Sequence, residues 1–329
     1  ILLSYGLTFL DFALSIDGAY FKLPVFPGVV WFAVFLFVFC CCLPSVWINK
    51  KYLCLLLLPL VSYLFTARTN SWHLDILDVG QGVAVLISKN NRVIIYDVGA
   101  TYPSGFNMAD SVLLPILQAR GVSAVDIVFI SHGDNDHAGS LAQLLKGTQV
   151  SEVVTNQDRC QQHFDMHWQG LRIQAFWPDN ADKYNDNNGS CVIKVSDQYH
   201  SVLLPGDIDQ SIEKQLVDLY PKQLTADILL AAHHGSNTSS SGEFIRAVGA
   251  DYVVFSQGFM NRWRFPRPEV LARFERVTNI EGTQPRLFST SDTGQVSFIM
   301  QNDSPRPILV KTFRQDIYRY WYANNFQHQ

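Results

Sequence analysis

Apolar residues follow two regimes along this chain. Over residues 29–48 and 52–67 they run almost unbroken, and residues 1–66 carry only five charges, Asp11, Asp17, Lys22, Lys50 and Lys51. The first run reaches the ~20 residues that a helix needs to cross a bilayer, and the second comes close. They predict two transmembrane helices joined by a tight turn at Asn49-Lys50-Lys51. Lysines favour the cytoplasmic side, which sends the second helix outward and leaves everything after Arg68 outside the cytoplasm. Leu23-Pro24 and Phe26-Pro27-Gly28 interrupt the pattern, so the residues before the first helix are expected along the outer face of the membrane. The chain opens on Ile1 and reads as a piece of a longer membrane protein rather than as one with a signal peptide.

From Leu74 onward, short runs rich in β-branched residues alternate with amphipathic stretches. Strands are predicted at Leu74 to Leu77, Val83 to Ser88, Arg92 to Asp97, Asp126 to Ile130, Val153 to Thr155, Arg172 to Trp177, Cys191 to Val195, Ser201 to Leu204, Asp227 to Leu230, Tyr252 to Phe255, Arg286 to Ser289 and Val296 to Ile299. Helices are predicted at Ser111 to Arg120, Ala138 to Lys146, Asp209 to Leu219, Gly242 to Val248 and Arg267 to Thr278. Many strands with few helices imply an α/β arrangement of sheets packed face to face and covered outside. The domain plan is a membrane segment over 1–67, a folded domain over 68–305 and a tail over 306–329.

Charge divides by region. Outside residues 1–66 there are 22 basic and 27 acidic residues, a net −5; residues 260–329 hold ten Lys/Arg against six Asp/Glu, and residues 67–259 come to −9. An acidic body with a basic end suits a carboxylate-lined cation pocket beside a surface that holds an anion. Cys40, Cys41, Cys42 and Cys54 fall in the apolar segments as small filler, whereas Cys160 and Cys191 either pair in an oxidising compartment or remain two free thiols.

Candidate chemistry concentrates where strands end. Ser131-His132-Gly133-Asp134-Asn135-Asp136-His137 places four cation-binding side chains on a strand-to-helix turn. Taken alone, Asp136 there could simply cap the helix. Asp97 closes Val93-Ile94-Ile95-Tyr96, Asp207 follows Leu204-Pro205-Gly206, and His233-His234 follows Ile228-Leu229-Leu230-Ala231-Ala232. Strand ends along one sheet edge can converge on one pocket, so the set together points to metal-assisted hydrolysis. Two cations about 3.5–4 Å apart clamp the oxygens of a displacement and acidify water, so no Ser or Cys nucleophile is needed. Mixed imidazole and carboxylate ligands suit Mn2+ or Zn2+, with Asp134 favouring manganese and affinity order favouring zinc.

The run from His132 to His137 resembles the metallo-β-lactamase superfamily signature His-x-His-x-Asp-His, with Asp134 at its second histidine. With Leu77-Asp78-Val79-Gly80-Gln81-Gly82, Leu204-Pro205-Gly206-Asp207 and Ala232-His233-His234-Gly235-Ser236, residues 74–300 resemble the C-terminal domain of the ComEC family of bacterial DNA-uptake channel proteins. The resemblance implies an αββα metallo-β-lactamase-like sandwich, preceded here by the two-helix transmembrane segment. It further implies an inner-membrane, multi-pass protein whose nuclease domain faces the periplasm or exterior and degrades one strand of incoming DNA, working with other DNA-uptake proteins. Carried over by position, His132 and Asp134 bind one metal, Asp136 and His137 the other, and Asp207 bridges them. Asp186 stands where the superfamily has its third-motif histidine, and one of His233 and His234 completes the second metal site. Asp136 is also the expected acceptor of the water proton. Asp78 and Asp97 are expected behind the ligands, orienting them.

Two departures stand out. Val83 replaces the last aspartate of the family's Asp-Val-Gly-Gln-Gly-Asp, and Arg264-Phe265-Pro266-Arg267-Pro268 replaces its Gly-His-Pro-His-Pro, with Phe and Arg at both histidines. They leave room for weak activity, one-metal occupancy or a DNA-guiding role without catalysis; a hydrolase of small phosphodiesters or acyl substrates is the other alternative. The same segment interleaves Arg262, Arg264 and Arg267 with Trp263 and Phe265, a composition suited to phosphates and stacked bases, although a rigid turn would bury the same aromatics. Ser236 is expected to offer its hydroxyl to a phosphate at a helix start.

Overall fold

The computed structural model describes residues 28–43, 50–66, 71–184, 186–278, 282–301, 305 and 308–317. Leu23 to Pro27, Asn49 and the tail beyond residue 317, each given a part above, lie outside the described residues. Contacts divide the chain into two units, Ile1–Arg68 with Leu117–Gly121, and Thr69–Ile116 with Val122–Gln329.

The first unit holds α1 (Gly28–Cys42), a 3-10 stretch (Lys50–Leu57) and α2 (Leu58–Thr66). Pro44 disfavours helical backbone at Leu43, and α1 stops at Cys42. Pro59 lacks a backbone N–H and divides the second apolar run into a 3-10 and an α part. The 15 residues of α1 reach about 22 Å, short of the roughly 30 Å hydrocarbon layer. Among the described residues no helix is long and apolar enough to cross a membrane; the expected spans over 29–48 and 52–67 include residues 44–49 and 67, which lie outside the described residues. α1 is nonetheless apolar on all sides, with Val29, Phe32, Phe35 and Val38 exposed.

The second unit is built on β1 (Ser71–Ile76), β2 (Ala84–Lys89), β3 (Arg92–Val98), β4 (Ala124–Ile130), β5 (Gln149–Thr155), β6 (Asp165–Trp168), β7 (Leu171–Trp177), β8 (Val192–Ser196), β9 (Ser201–Leu204), β10 (Ile228–Leu230), β11 (Tyr252–Phe255), β12 (Arg286–Ser289), β13 (Val296–Gln301) and β14 (Leu309–Thr312). Two seven-stranded sheets result, ordered β14-β13-β1-β2-β3-β4-β5 and β12-β11-β10-β9-β8-β7-β6. Alternation decides which side chains lie between them: Trp72, Leu74 and Ile76 of β1 and Ile94 and Tyr96 of β3 share one core with Ile193 and Val195 of β8 and Val202 and Leu204 of β9. The intervening residues Leu203, Leu229 and Val253 face outward onto a second core, where they meet Ile212, Leu216, Phe244, Ile245, Val270 and Phe274 of the helices α6 (Gln210–Leu219), α7 (Gly242–Val248) and α8 (Pro268–Glu275). α5 (Leu141–Gly147) and the one-turn α4 (Asn135–Ala138) lie on the other sheet, and a π-type turn (Ala109–Leu113), which continues into α3 (Leu114–Ala119), packs against α5. This is the αββα sandwich that the motifs imply.

Two strands escape the sequence pattern. β6 pairs with β7 through a Gln169-Gly170 turn in which both residues have positive φ. β14 pairs antiparallel with β13, so the boundary expected at 305 falls short of the domain's edge strand. Arg314, just beyond it, reaches back to Asp78 at 2.7 Å.

Cys160 and Cys191 are bonded, with their Cα atoms 5.6 Å apart. Tyr96 donates its hydroxyl to the Cys191 carbonyl at 2.9 Å, a second link across the sandwich.

β3, β4 and β5 run parallel, as do β9 to β12. Ligands of parallel sheets gather at the carboxyl ends of strands. Asp97, His132, Asp207, His234 and Ser256 all stand at such ends.

Candidate metal centre

Three imidazoles converge on Asp207, each tied down by its Nδ1. His137 Nδ1 lies 2.7 Å from Asp97 Oδ2, and that buried carboxylate also accepts from the Ser131 N–H and hydroxyl, both at 2.7 Å. His234 Nδ1 donates to the Ser256 carbonyl at 2.8 Å. His132 Nδ1 faces Ser131 Oγ at 3.0 Å and Ser190 Oγ at 3.3 Å. Both hydroxyls donate elsewhere, to Asp97 and to the Asn187 carbonyl, so His132 Nδ1 must be the donor. In every case Nε2 is left to bind a cation.

The Nε2 atoms and the carboxylates meet. Asp207 Oδ1 is 3.2 Å from His137 Nε2, while its Oδ2 is 3.4 Å from His234 Nε2 and 3.8 Å from His233 Nε2. Asp136 Oδ2 is 3.3 Å from His234 Nε2, and the two imidazole Nε2 atoms of His137 and His234 are 3.3 Å apart. Two sets of ligand atoms lie within 4.8 Å of one another, His132 with His137 and Asp207, and Asp136 with His137 and His234. His132 Nε2 and Asp207 Oδ1 are buried without a hydrogen-bond partner. Buried polar atoms are rarely left so, and a cation between them answers both.

Electrostatics agree. Burial pulls the His234 imidazole down, but the Asp207 charge and hydrogen bonds to Asp136 and Asp207 outweigh it and push it up to about 9. Burial likewise opposes charge on His137, yet Asp207 and Asp97 hold it well above the usual imidazole range. Burial would raise Asp207, and the neighbouring His137 and His234 charges instead hold it well below the usual carboxylate range. Burial and the His137 charge lower His132, and burial lowers His233. The carboxylates therefore demand positive charge, met by protons on two imidazoles until a cation replaces them.

Not every expected ligand joins the cluster. Asp134 Oδ2 is 3.6 Å from His132 Nε2 with its side chain 60% exposed, beside the two ligand sets rather than within them. Asp186 is exposed and accepts from the Asn188 N–H at 3.0 Å, capping a 3-10 turn. The same turn instead presents Ser190, whose hydroxyl also accepts from the Asp207 N–H at 3.0 Å, and Asn187, 3.5 Å from His233 Nε2. Of the tandem histidines, His234 enters a ligand set; His233 stands aside with its Nδ1 3.4 Å from Thr238 Oγ1. Asp78 orients no ligand directly: it pairs with Arg314. Its neighbour Gly82 does reach the site, since a Cβ there would lie 2.4 Å from the Asp136 carbonyl oxygen. The Ser236 hydroxyl is nearly buried and paired with Thr238 at 2.9 Å rather than offered to solvent. Arg262, Trp263 and Arg264 are exposed, and Phe265 stacks on His234. Ser131, Ser190 and Ser256 were not legible as site residues. Only Ser131, next to His132, carried a hint.

A family model for the metallo-beta-lactamase superfamily matches residues 77–258. The chain belongs to that superfamily. Membership makes its folded unit a metal-dependent hydrolase domain, and the His132–His137 run lies within the matched residues. Its relatives include Recombination protein 2 of Haemophilus influenzae, 38% identical over 65% of this chain and 28% of that protein. Competence protein ComA of Neisseria gonorrhoeae is 31% identical over 83% of this chain and 38% of that protein. ComE operon protein 3 of Bacillus subtilis is 25% identical over 73% and 34%. The chain spans about a third of the length of these curated relatives. Its likeness is to ComEC-like competence proteins, as the motifs indicate. Among solved structures, the metallo-beta-lactamase fold protein YhfI of Bacillus subtilis aligns with a TM-score of 0.44 at 12% identity, covering 69% of this chain and 99% of that one.

Proposed function

We propose that this chain is the nuclease part of a DNA-uptake protein, hydrolysing phosphodiester bonds in one strand of incoming DNA. The convergence of three Nε2 atoms on Asp207, each fixed by an Nδ1 bond, carries this reading. Two divalent cations, Mn2+ or Zn2+, would supply Lewis-acid polarisation of the phosphoryl oxygens and acidify water. His132 with Asp207 would hold one, and Asp136 with His234 the other, while His137, whose Nε2 lies in both sets and whose Nδ1 is taken by Asp97, would ligate only one of them. Asp207 divides its two oxygens between the two sides. Asp136 stays ionised although burial opposes it, because its hydrogen bond to His234 and the His137 charge lower it. With a side chain 31% exposed, it is the carboxylate placed to take a proton from an entering water.

The names of the relatives support DNA as substrate, and the Cys160–Cys191 disulfide supports an oxidising compartment outside the cytoplasm. We place the apolar residues 1–67 against the inner membrane on the same reading.

End-labelled single- and double-stranded DNA, incubated with the chain and Mn2+, Zn2+ or chelator, tests the proposal. Cleavage should require metal and vanish in Asp136→Ala while DNA binding persists. Full activity in Asp136→Ala would defeat the mechanism. A folded protein that binds DNA and cleaves it with neither metal would be a guiding module instead.

A further inference from the structure

Residues 257–267 form a loop beside the metal centre whose frame is fixed and whose outer face is aromatic and cationic. Asn261 does the fixing. Its Nδ2 donates to Gln257 Oε1 at 3.3 Å and to the carbonyls of Gly258 at 3.2 Å and Phe265 at 2.8 Å, and its Oδ1 accepts from the Phe265 N–H at 2.8 Å. On this frame Trp263 stacks on Phe265, 6.2 Å between centroids and 14° between planes, and Phe265 stacks on His234 at 6.4 Å and 20°. The stack therefore runs from a residue of the metal centre to a tryptophan that is 39% exposed. On the same loop Phe259 is 68% exposed, and a cleft of about 590 Å³ opens between Phe259, Phe265, Arg262, Arg264 and Asp292, so the stack enters it through Phe265. The Arg262 guanidinium lies 4.2 Å from the Trp263 ring centroid. Among the described residues no acidic side chain pairs with Arg262, Arg264 or Arg267.

Exposed aromatic surface held in a fixed frame marks a binding site, because the ordering of those groups is complete before anything arrives. Guanidiniums without a carboxylate partner beside exposed aromatic rings select a ligand that is anionic along its backbone and flat at its side groups. A single nucleic-acid strand has both, whereas a duplex hides its base faces. Asp292 across the cleft repels phosphate and can accept from a base's exocyclic amine, which favours the base rather than the backbone as occupant.

We propose that Phe259 and the Phe265 ring backed by Trp263 form a subsite for an unpaired base, with Arg262 and Arg264 neutralising the adjoining phosphates, and that it delivers a single strand rather than a duplex to the metal centre. It rests on the phosphodiesterase reading only for the bond that is then cut. Binding of a short single strand carrying 2-aminopurine, and of a blunt duplex of the same length, is measured on the 329-residue chain in chelator, followed by cleavage with Mn2+. The wild type, Trp263→Ala and Phe259→Ala are compared; Phe259 stacks on no other ring among the described residues, so its loss leaves the loop frame intact. Each variant should weaken single-strand binding about 5- to 150-fold, the range for one lost stack, and duplex binding by less than about twofold. The bound 2-aminopurine should be quenched by the wild type and not by Trp263→Ala. Equal weakening for both forms, or none, overturns the subsite. Aromatic-dependent single-strand binding without any cleavage would retire the phosphodiesterase reading and leave the subsite standing. Cleavage with binding indifferent to both aromatics would do the reverse.

Discussion

Asp97→Asn separates the orientation of His137 from its presence. The substitution keeps size and suits the backbone, because Asp97 has φ +57° and asparagine is among the residues that tolerate the left-handed region. The carboxylate accepts three bonds at 2.7 Å, from the Ser131 N–H, the Ser131 hydroxyl and His137 Nδ1. An amide oxygen can still serve the Ser131 N–H, but the NH2 then meets His137 Nδ1. Either a buried imidazole N–H loses its acceptor, at about 1–3 kcal/mol, or the ring moves its proton to Nε2 and blocks the nitrogen that faces Asp207. Both outcomes weaken metal binding. Loss of such an orienting carboxylate typically lowers affinity about 10- to 100-fold, or about 1.4–2.7 kcal/mol. Competition against a chromophoric zinc chelator at fixed pH measures the change, and imidazole 15N shifts read which nitrogen carries the proton. Wild-type affinity in Asp97→Asn, with the metal-bound His137 still protonated on Nδ1 alone, would refute the reasoning.

Metal binding should depend on pH. His234, at about 9, and His137, also raised, must release protons to ligate, so apparent affinity should rise about tenfold per pH unit for each proton displaced as the pH climbs toward 9; an affinity that stays flat below that pH would show that the imidazoles are already free. Gly82→Ala sets a Cβ 2.4 Å from the Asp136 carbonyl at a φ of +135° and should cost about 1–3 kcal/mol of stability with a matching loss of metal affinity, so an unchanged Tm would mean that the loop yields freely. Replacing Cys160 and Cys191 together by Ala opens a crosslink of sequence separation 31, worth about 3–4 kcal/mol by loop-closure entropy; denaturant midpoints of the two proteins decide it, and equal midpoints would argue against it.

The parts of this molecule that could be read from its sequence are those set by local pattern. The β-branched runs ending at Tyr96 and Ile130 marked strands, and acids and histidines just past such runs marked the site. What could not be read depends on distant partners or on backbone atoms. Asp78 looked like a neighbour of the metal because of its motif, but Arg314, 236 positions away, holds it. Asp186 was taken for a ligand by position, while the exposed turn it caps presents Ser190 instead. The choice between His233 and His234 turns on the Ser256 carbonyl, and every residue has a carbonyl.

The metal centre draws half its groups from each sheet: His132, His137 and Asp97 from the strands around β4, and Asp207, His234 and Ser256 from those around β10. An ion held there acts as a rivet through two plates. The Cys160–Cys191 bond fastens the same plates permanently, whereas the rivet is reversible and tightens with ion concentration, reaching about 4 kcal/mol at a thousandfold excess over Kd. The ion that would serve the chemistry also sets how stiffly the rim of the sandwich is clamped, so scarcity of the metal would loosen the mouth of the site while the body of the fold stays shut.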